Sequence, residues 1–144
     1  MSTQQSATAV SSSSPAFGRL ALPGLLIAVV AVVLNTLIAM LARTLFSITP
    51  AFSPLQPVFF ISATVVGVIG AVAVAMALMR WSKQPRRQFL RIGLAVLCVS
   101  VLPDLSLLFV HFIPGATVAE VGTVALMHVL TGLLCLGILS RSMA

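Results

Sequence analysis

The stretch Arg80-Trp81-Ser82-Lys83-Gln84-Pro85-Arg86-Arg87-Gln88-Phe89-Leu90-Arg91 divides the chain just past its middle and carries five of its eight basic residues. Long apolar runs flank it on both sides. Lys and Arg beside a hydrophobic span are retained on the cytoplasmic face of a membrane, so a basic cluster between two pairs of spans orients all four. The stretch therefore reads as a cytoplasmic loop. Arg80, Lys83, Arg86, Arg87 and Arg91 are its topology anchors and face anionic lipid head groups.

Composition agrees. Of 144 residues, 60% are hydrophobic and only 7% are charged, with a mean hydropathy of +1.19, far from the values of soluble domains. A net charge of +6 suggests nucleic acid in a soluble chain. Here the basic residues border apolar spans, so no nucleic-acid partner is expected. Cys98 and Cys135 lie inside apolar runs and imply no disulfide framework.

At about 1.5 Å per residue, about 20 helical residues cross the ~30 Å hydrocarbon layer. Four runs qualify: residues 20–42, 58–79, 92–112 and 118–139. Residues 1–18, rich in Ser, Thr and Gln, read as a disordered cytoplasmic tail, and 19–141 as the transmembrane domain. The expected fold is an all-α integral membrane four-helix bundle with both termini cytoplasmic. That orientation places seven of the eight basic residues inside and leaves only Arg43 outside. The connection 43–57, with Pro50, Pro54 and Pro57, reads as an irregular outer loop.

Helices in lipid associate through small residues and buried polar contacts. Gly24 and Ala28 on the first helix, and Ala63, Gly67, Ala71 and Ala75 at four-residue spacing on the second, form such packing stripes. On the third helix Gly93, Ser100 and Asp104 share a face, and on the fourth Glu120, Thr123, His128, Thr131 and Cys135 do. Pro103 predicts a kink just before Asp104, with the Ser100 hydroxyl serving the freed backbone or the carboxylate.

An ionisable group in mid-span costs about 2.5–3.5 kcal/mol on insertion scales, so Asp104 and His128 require an explanation. Counted from the outer ends, Asn35, Ser100, Asp104 and His128 fall in the outer half and can form one polar cluster. Such a cluster serves either as a proton or ion site or as a hydrogen-bonded register lock. Glu120 and His111 lie near enough to helix ends to reach water, and Glu120 can pair with Arg43.

No HExxH, CxxC, GxSxG, phosphate loop or paired catalytic carboxylates occur, so no enzyme is expected. No metal or cofactor is implied. His128 is the single residue a haem or chlorin can use, and a bis-His haem lacks a second buried imidazole because His111 is near the surface.

The segments Asn35-x-x-Ile38-Ala39-x-x-Ala42-Arg43, Thr64-Val65-Val66-Gly67, Pro85-Arg86-Arg87-x-Phe89 and Ala125-Leu126-Met127-His128-Val129 resemble a bacterial family of small four-helix membrane proteins known only as a domain of unknown function. The resemblance spans residues 20–141. It implies a multi-pass inner-membrane protein and supplies no activity.

The expectation is a non-enzymatic membrane protein that assembles with itself or a partner membrane protein. The alternative is a small proton- or ion-coupled carrier, or a lipophilic-ligand or pigment-binding protein, built on Asp104, His128 and Asn35. Four helices of about 22 residues are expected to leave little room for a cavity unless the protein oligomerises.

Overall fold

The computed structural model describes residues 15–48, 52–106 and 117–143. Four helices make up most of them: α1 (Pro15–Phe46), α2 (Pro57–Trp81), α3 (Pro85–Ser106) and α4 (Val118–Ser142). Each is long and apolar enough to cross a membrane, and no strand occurs among the described residues. The fold class is the expected one. Its helix bounds differ from expectation in ways that proline and capping chemistry explain.

α1 begins at Pro15, inside the stretch read as tail, because proline suits a first helical position and apolar residues follow it directly. It closes at Ser47, whose φ of 50° is the one positive value outside glycine among the described residues. Pro57 likewise opens α2. The basic stretch is a loop for only three residues. α2 ends when the Ser82 amide bonds the Leu78 carbonyl, the Ser82 hydroxyl accepts from the Gln84 amide, and Pro85 starts α3. Arg86, Arg87 and Arg91 thus sit on the first turns of α3, all exposed. Phe89 between them is buried and anchors that end of the helix.

α4 starts with a capping box. The Glu120 amide donates to the Thr117 hydroxyl, and the Glu120 carboxylate accepts from the Thr117 amide and hydroxyl. Glu120 is consequently 2% exposed, which corrects the expectation that it reaches water. Its pairing with Arg43 is absent among the described contacts. The Arg43 guanidinium donates instead to the Leu55 carbonyl at 2.6 Å, tying the end of α1 to the Ser53–Leu55 turn.

α1 packs along α2 and along α4, and α4 packs along α3, whereas α2 and α3 meet sparsely. The bundle is open on its α2–α3 side. Glycine sets the close contacts elsewhere. Leu136 of α4 sits over Gly93 of α3, and Leu97 of α3 sits over Gly132 of α4, so a methyl at Gly132 would lie 2.6 Å from Leu97 Cδ1. Gly24 admits Val72 in the same way between α1 and α2.

Two apolar clusters fill the interior. One gathers Ala39, Ala42, Phe52, Leu55, Phe60, Val124 and Met127 at the loop end. The other gathers Leu20, Ile27, Val68, Ala75, Phe89, Cys135 and Leu139 toward the basic end. The polar residues lie between them.

Candidate functional site

Sparse contact between α2 and α3 leaves a cleft of about 810 Å³. This corrects the expectation that four short helices leave little room. The helices are joined by a three-residue connection at one end, yet α2 leans on α1 while α3 leans on α4, so their walls part above Phe89. Val96 and Ile92 of α3 and Phe59 of α2 border the cleft and are exposed.

The small residues of α2 divide between two tasks. Ala75 is fully buried, and Ala71 and Ala28 pack against the core cluster. Ala63 and Gly67, expected at a helix contact, instead line the cleft and are exposed. A side-chain carbon at Gly67 or Gly70 would meet nothing within 4 Å. Small residues here make space, because none of the four described helices lies against them.

The floor of the cleft is polar. Asn35 of α1, 1% exposed, donates from Nδ2 to the Thr64 hydroxyl of α2 at 2.9 Å and to the Thr131 hydroxyl of α4 at 3.1 Å. Thr64 in turn donates to the Phe60 carbonyl. One amide therefore ties three helices, while its Oδ1 is buried without a partner among the described residues. His128 lies three positions before Thr131 on the same face of α4. Its Nδ1 is 2.8 Å from Oδ2 of Asp104 on α3, which is 8% exposed.

The same Nδ1 is 3.2 Å from the Val124 carbonyl. The one Nδ1–H is shared between these two acceptors, with the carboxylate the nearer. The imidazole Nε2 makes no hydrogen bond with a described residue.

Of the four residues expected to cluster, Asp104 and His128 touch, and Asn35 lines the same cleft through different partners. Ser100 lines it too, but its hydroxyl donates to the Leu97 carbonyl and serves neither Asp104 nor the backbone freed by Pro103. Thr64 was missed as a partner. It is one of only two hydroxyl residues in α2, at Ser62 and Thr64, and stands between Phe60 and Val68 on the buried face. His111 falls outside the described residues.

Among the described residues no three His, Cys, Asp or Glu side chains come together as a metal site. Among the described residues the cleft lining contains no Lys or Arg, so the two carboxylates of a haem would find no counter-charge there beside His128.

Four apolar helices around this interior define a multi-pass membrane protein. The chain belongs to DUF6069, a family of unknown function whose model matches residues 15–144. No curated protein and no solved structure matches it.

Proposed function

We propose that the protein is a non-enzymatic binding protein for a lipophilic ligand that enters sideways from the bilayer between α2 and α3. The carrying observation is the cleft: apolar walls, a volume of about 810 Å³ within the usual range for ligand sites, and a floor of a few convergent polar groups. A buried acceptor such as Asn35 Oδ1, without a partner among the described residues, is costly. A ligand that brings a donor to it removes that cost.

In this reading the polar layer holds the ligand's head and the small residues of α2 make room for its body. The basic cluster holds the bundle with residues 80–91 and both termini on the cytoplasmic side of a cell membrane, against anionic head groups. A carrier follows from the same site if the cleft also opens at an aqueous end. An assembly role has one specific support: Ala63, Gly67 and Gly70 form an exposed small-residue face, the kind that receives a neighbouring helix.

The test is to purify wild type and Gly67→Trp from their native membranes in mild detergent and identify small lipophiles in organic extracts by mass spectrometry. The binding reading expects a compound near one per chain in wild type and its loss in the variant, whose new ring fills the cleft without touching the packed core. Equal amounts in both, or none in either, contradict it. A second copy of the chain cross-linked through Gly67 supports assembly instead.

A further inference from the structure

The cleft has a sign and a hydrogen-bonding sense, and both restrict what can bind if, as argued above, it is a ligand site. Among the described residues Asp104 is the one acidic residue in its lining, which holds no Lys or Arg. Glu120 is closed into its capping box and does not contribute. Among the described residues, Asn35 Oδ1 is a buried acceptor without a hydrogen-bond partner, and Asp104 Oδ2, also an acceptor, has only the imidazole Nδ1 of His128 beside it, at 2.8 Å. The site therefore calls for a donor, and once the pair gives up its proton its formal charge calls for a cation.

An alcohol satisfies one acceptor and leaves the carboxylate uncompensated. An anion meets a carboxylate, and the one basic side chain beside it among the described residues, His128, is already engaged by that carboxylate. A protonated amine has three N–H donors, no acceptor and the complementary charge. We propose that the cleft binds an amphiphilic cation, an apolar body carrying a protonated amine, with the amine against Asp104 and Asn35 in competition with the proton of the Asp104–His128 pair.

The competition follows from geometry. His128 Nδ1 stands 2.8 Å from the carboxylate oxygen, so a protonated imidazole and an ammonium cannot both neutralise it. Binding the amine then releases a proton. From α4 only His128 and Cys135 are titratable in the lining, from α3 only Asp104, and α1 and α2 contribute the neutral Asn35 and Thr64. Among the described residues the proton in question is thus held by the pair.

Equilibrium binding of tritiated octylamine and of octanol is measured on the full chain in phosphatidylcholine nanodiscs, with empty nanodiscs subtracting partition into lipid. The proposal expects saturable octylamine binding at least about tenfold tighter than octanol and weakened at least about tenfold in Asp104→Asn. Because the amine stays charged throughout, affinity should rise with pH, by up to about tenfold per unit, over the range in which the pair gives up its proton.

The octanol comparison and the pH series use wild type, so they stand even if the Asp104 variant fails to fold. Octanol binding as tight as octylamine overturns the cation inference and leaves the cleft as a site. An octylamine affinity that is flat in pH, or unchanged in a folded Asp104→Asn, does the same. If neither probe binds saturably, or Gly67→Trp weakens neither, the cleft reading falls and this inference with it.

Discussion

The Nδ1 atom of His128 stands 2.8 Å from Oδ2 of Asp104, and among the described residues no other side-chain polar contact joins α3 to α4. The same two helices are held by interlocking Leu97–Gly132 and Leu136–Gly93 contacts. The pair adds a specific tie near the open side of the bundle, where apolar packing alone leaves the helix rotation less constrained.

Removing either partner should leave the other in an apolar surrounding without its neighbour. Asp104→Leu and His128→Leu are each expected to lower stability by about 1–3 kcal/mol. The double variant should lose less than the sum, by about 0.5 kcal/mol or more. Unfolding in mixed micelles measures this cycle, and strict additivity would mean that the contact contributes nothing.

Asn35 donates to hydroxyls on two other helices. Interhelical hydrogen bonds in membranes average about 0.6 kcal/mol each, so Asn35→Leu should cost about 1–2 kcal/mol, and Thr64→Val and Thr131→Val about half as much. The same unfolding assay ranks the three. If Asn35→Leu stabilises the chain instead, the unpaired Oδ1 outweighs the two bonds that the amide makes.

These residues also show what the sequence could and could not reveal. The four spans, Asp104 with His128, and Asn35 as an interior polar residue were legible because charge and polarity are rare in apolar helices and helical spacing assigns them to faces. The cleft was not. Ala63, Gly67, Ala71 and Ala75 read as one ladder, and spacing alone cannot tell a small residue that receives a neighbouring helix from one that leaves room. That depends on which helix stands opposite, and α2 turns toward α1 at Ala75 while its Ala63 end faces the gap. Proline opens α1 at position 15 and α3 at position 85, but counting uninterrupted apolar runs placed the boundaries later, at Leu20 and Ile92.

Two glycines separate contact from space. A side-chain carbon at Gly132 would crowd three atoms of Leu97, so rotating one methyl away does not relieve it, whereas Gly67 has open surroundings. Gly132→Ala should lose about 1–3 kcal/mol. Gly67→Ala should be neutral or gain up to about 1 kcal/mol from helix propensity. Equal effects in thermal or micellar unfolding would contradict the packing described.

The proposed orientation, with the basic cluster on the cytoplasmic side, is tested by labelling. A cysteine introduced at Lys83, in a background without Cys98 and Cys135, should react with a membrane-impermeant maleimide from the cytoplasmic side only. Replacing Arg80, Lys83, Arg86, Arg87 and Arg91 together with Gln should produce a mixture of orientations. Labelling from the outer side in the unmodified cluster would reverse the topology.

The most direct measurement of the central claim, that the α2–α3 cleft receives a lipophilic molecule, is photolabelling of the full chain in membranes with a diazirine-bearing alkylamine, mapped by peptide mass spectrometry. Saturable labels on the cleft walls at Phe59, Gly67, Ile92, Val96 and Leu97, lost in Gly67→Trp, are the predicted result. Non-saturable labels spread evenly over outward-facing residues such as Val66, Leu94, Val99 and Leu133 would show that the cleft is ordinary lipid-facing surface and contradict the account.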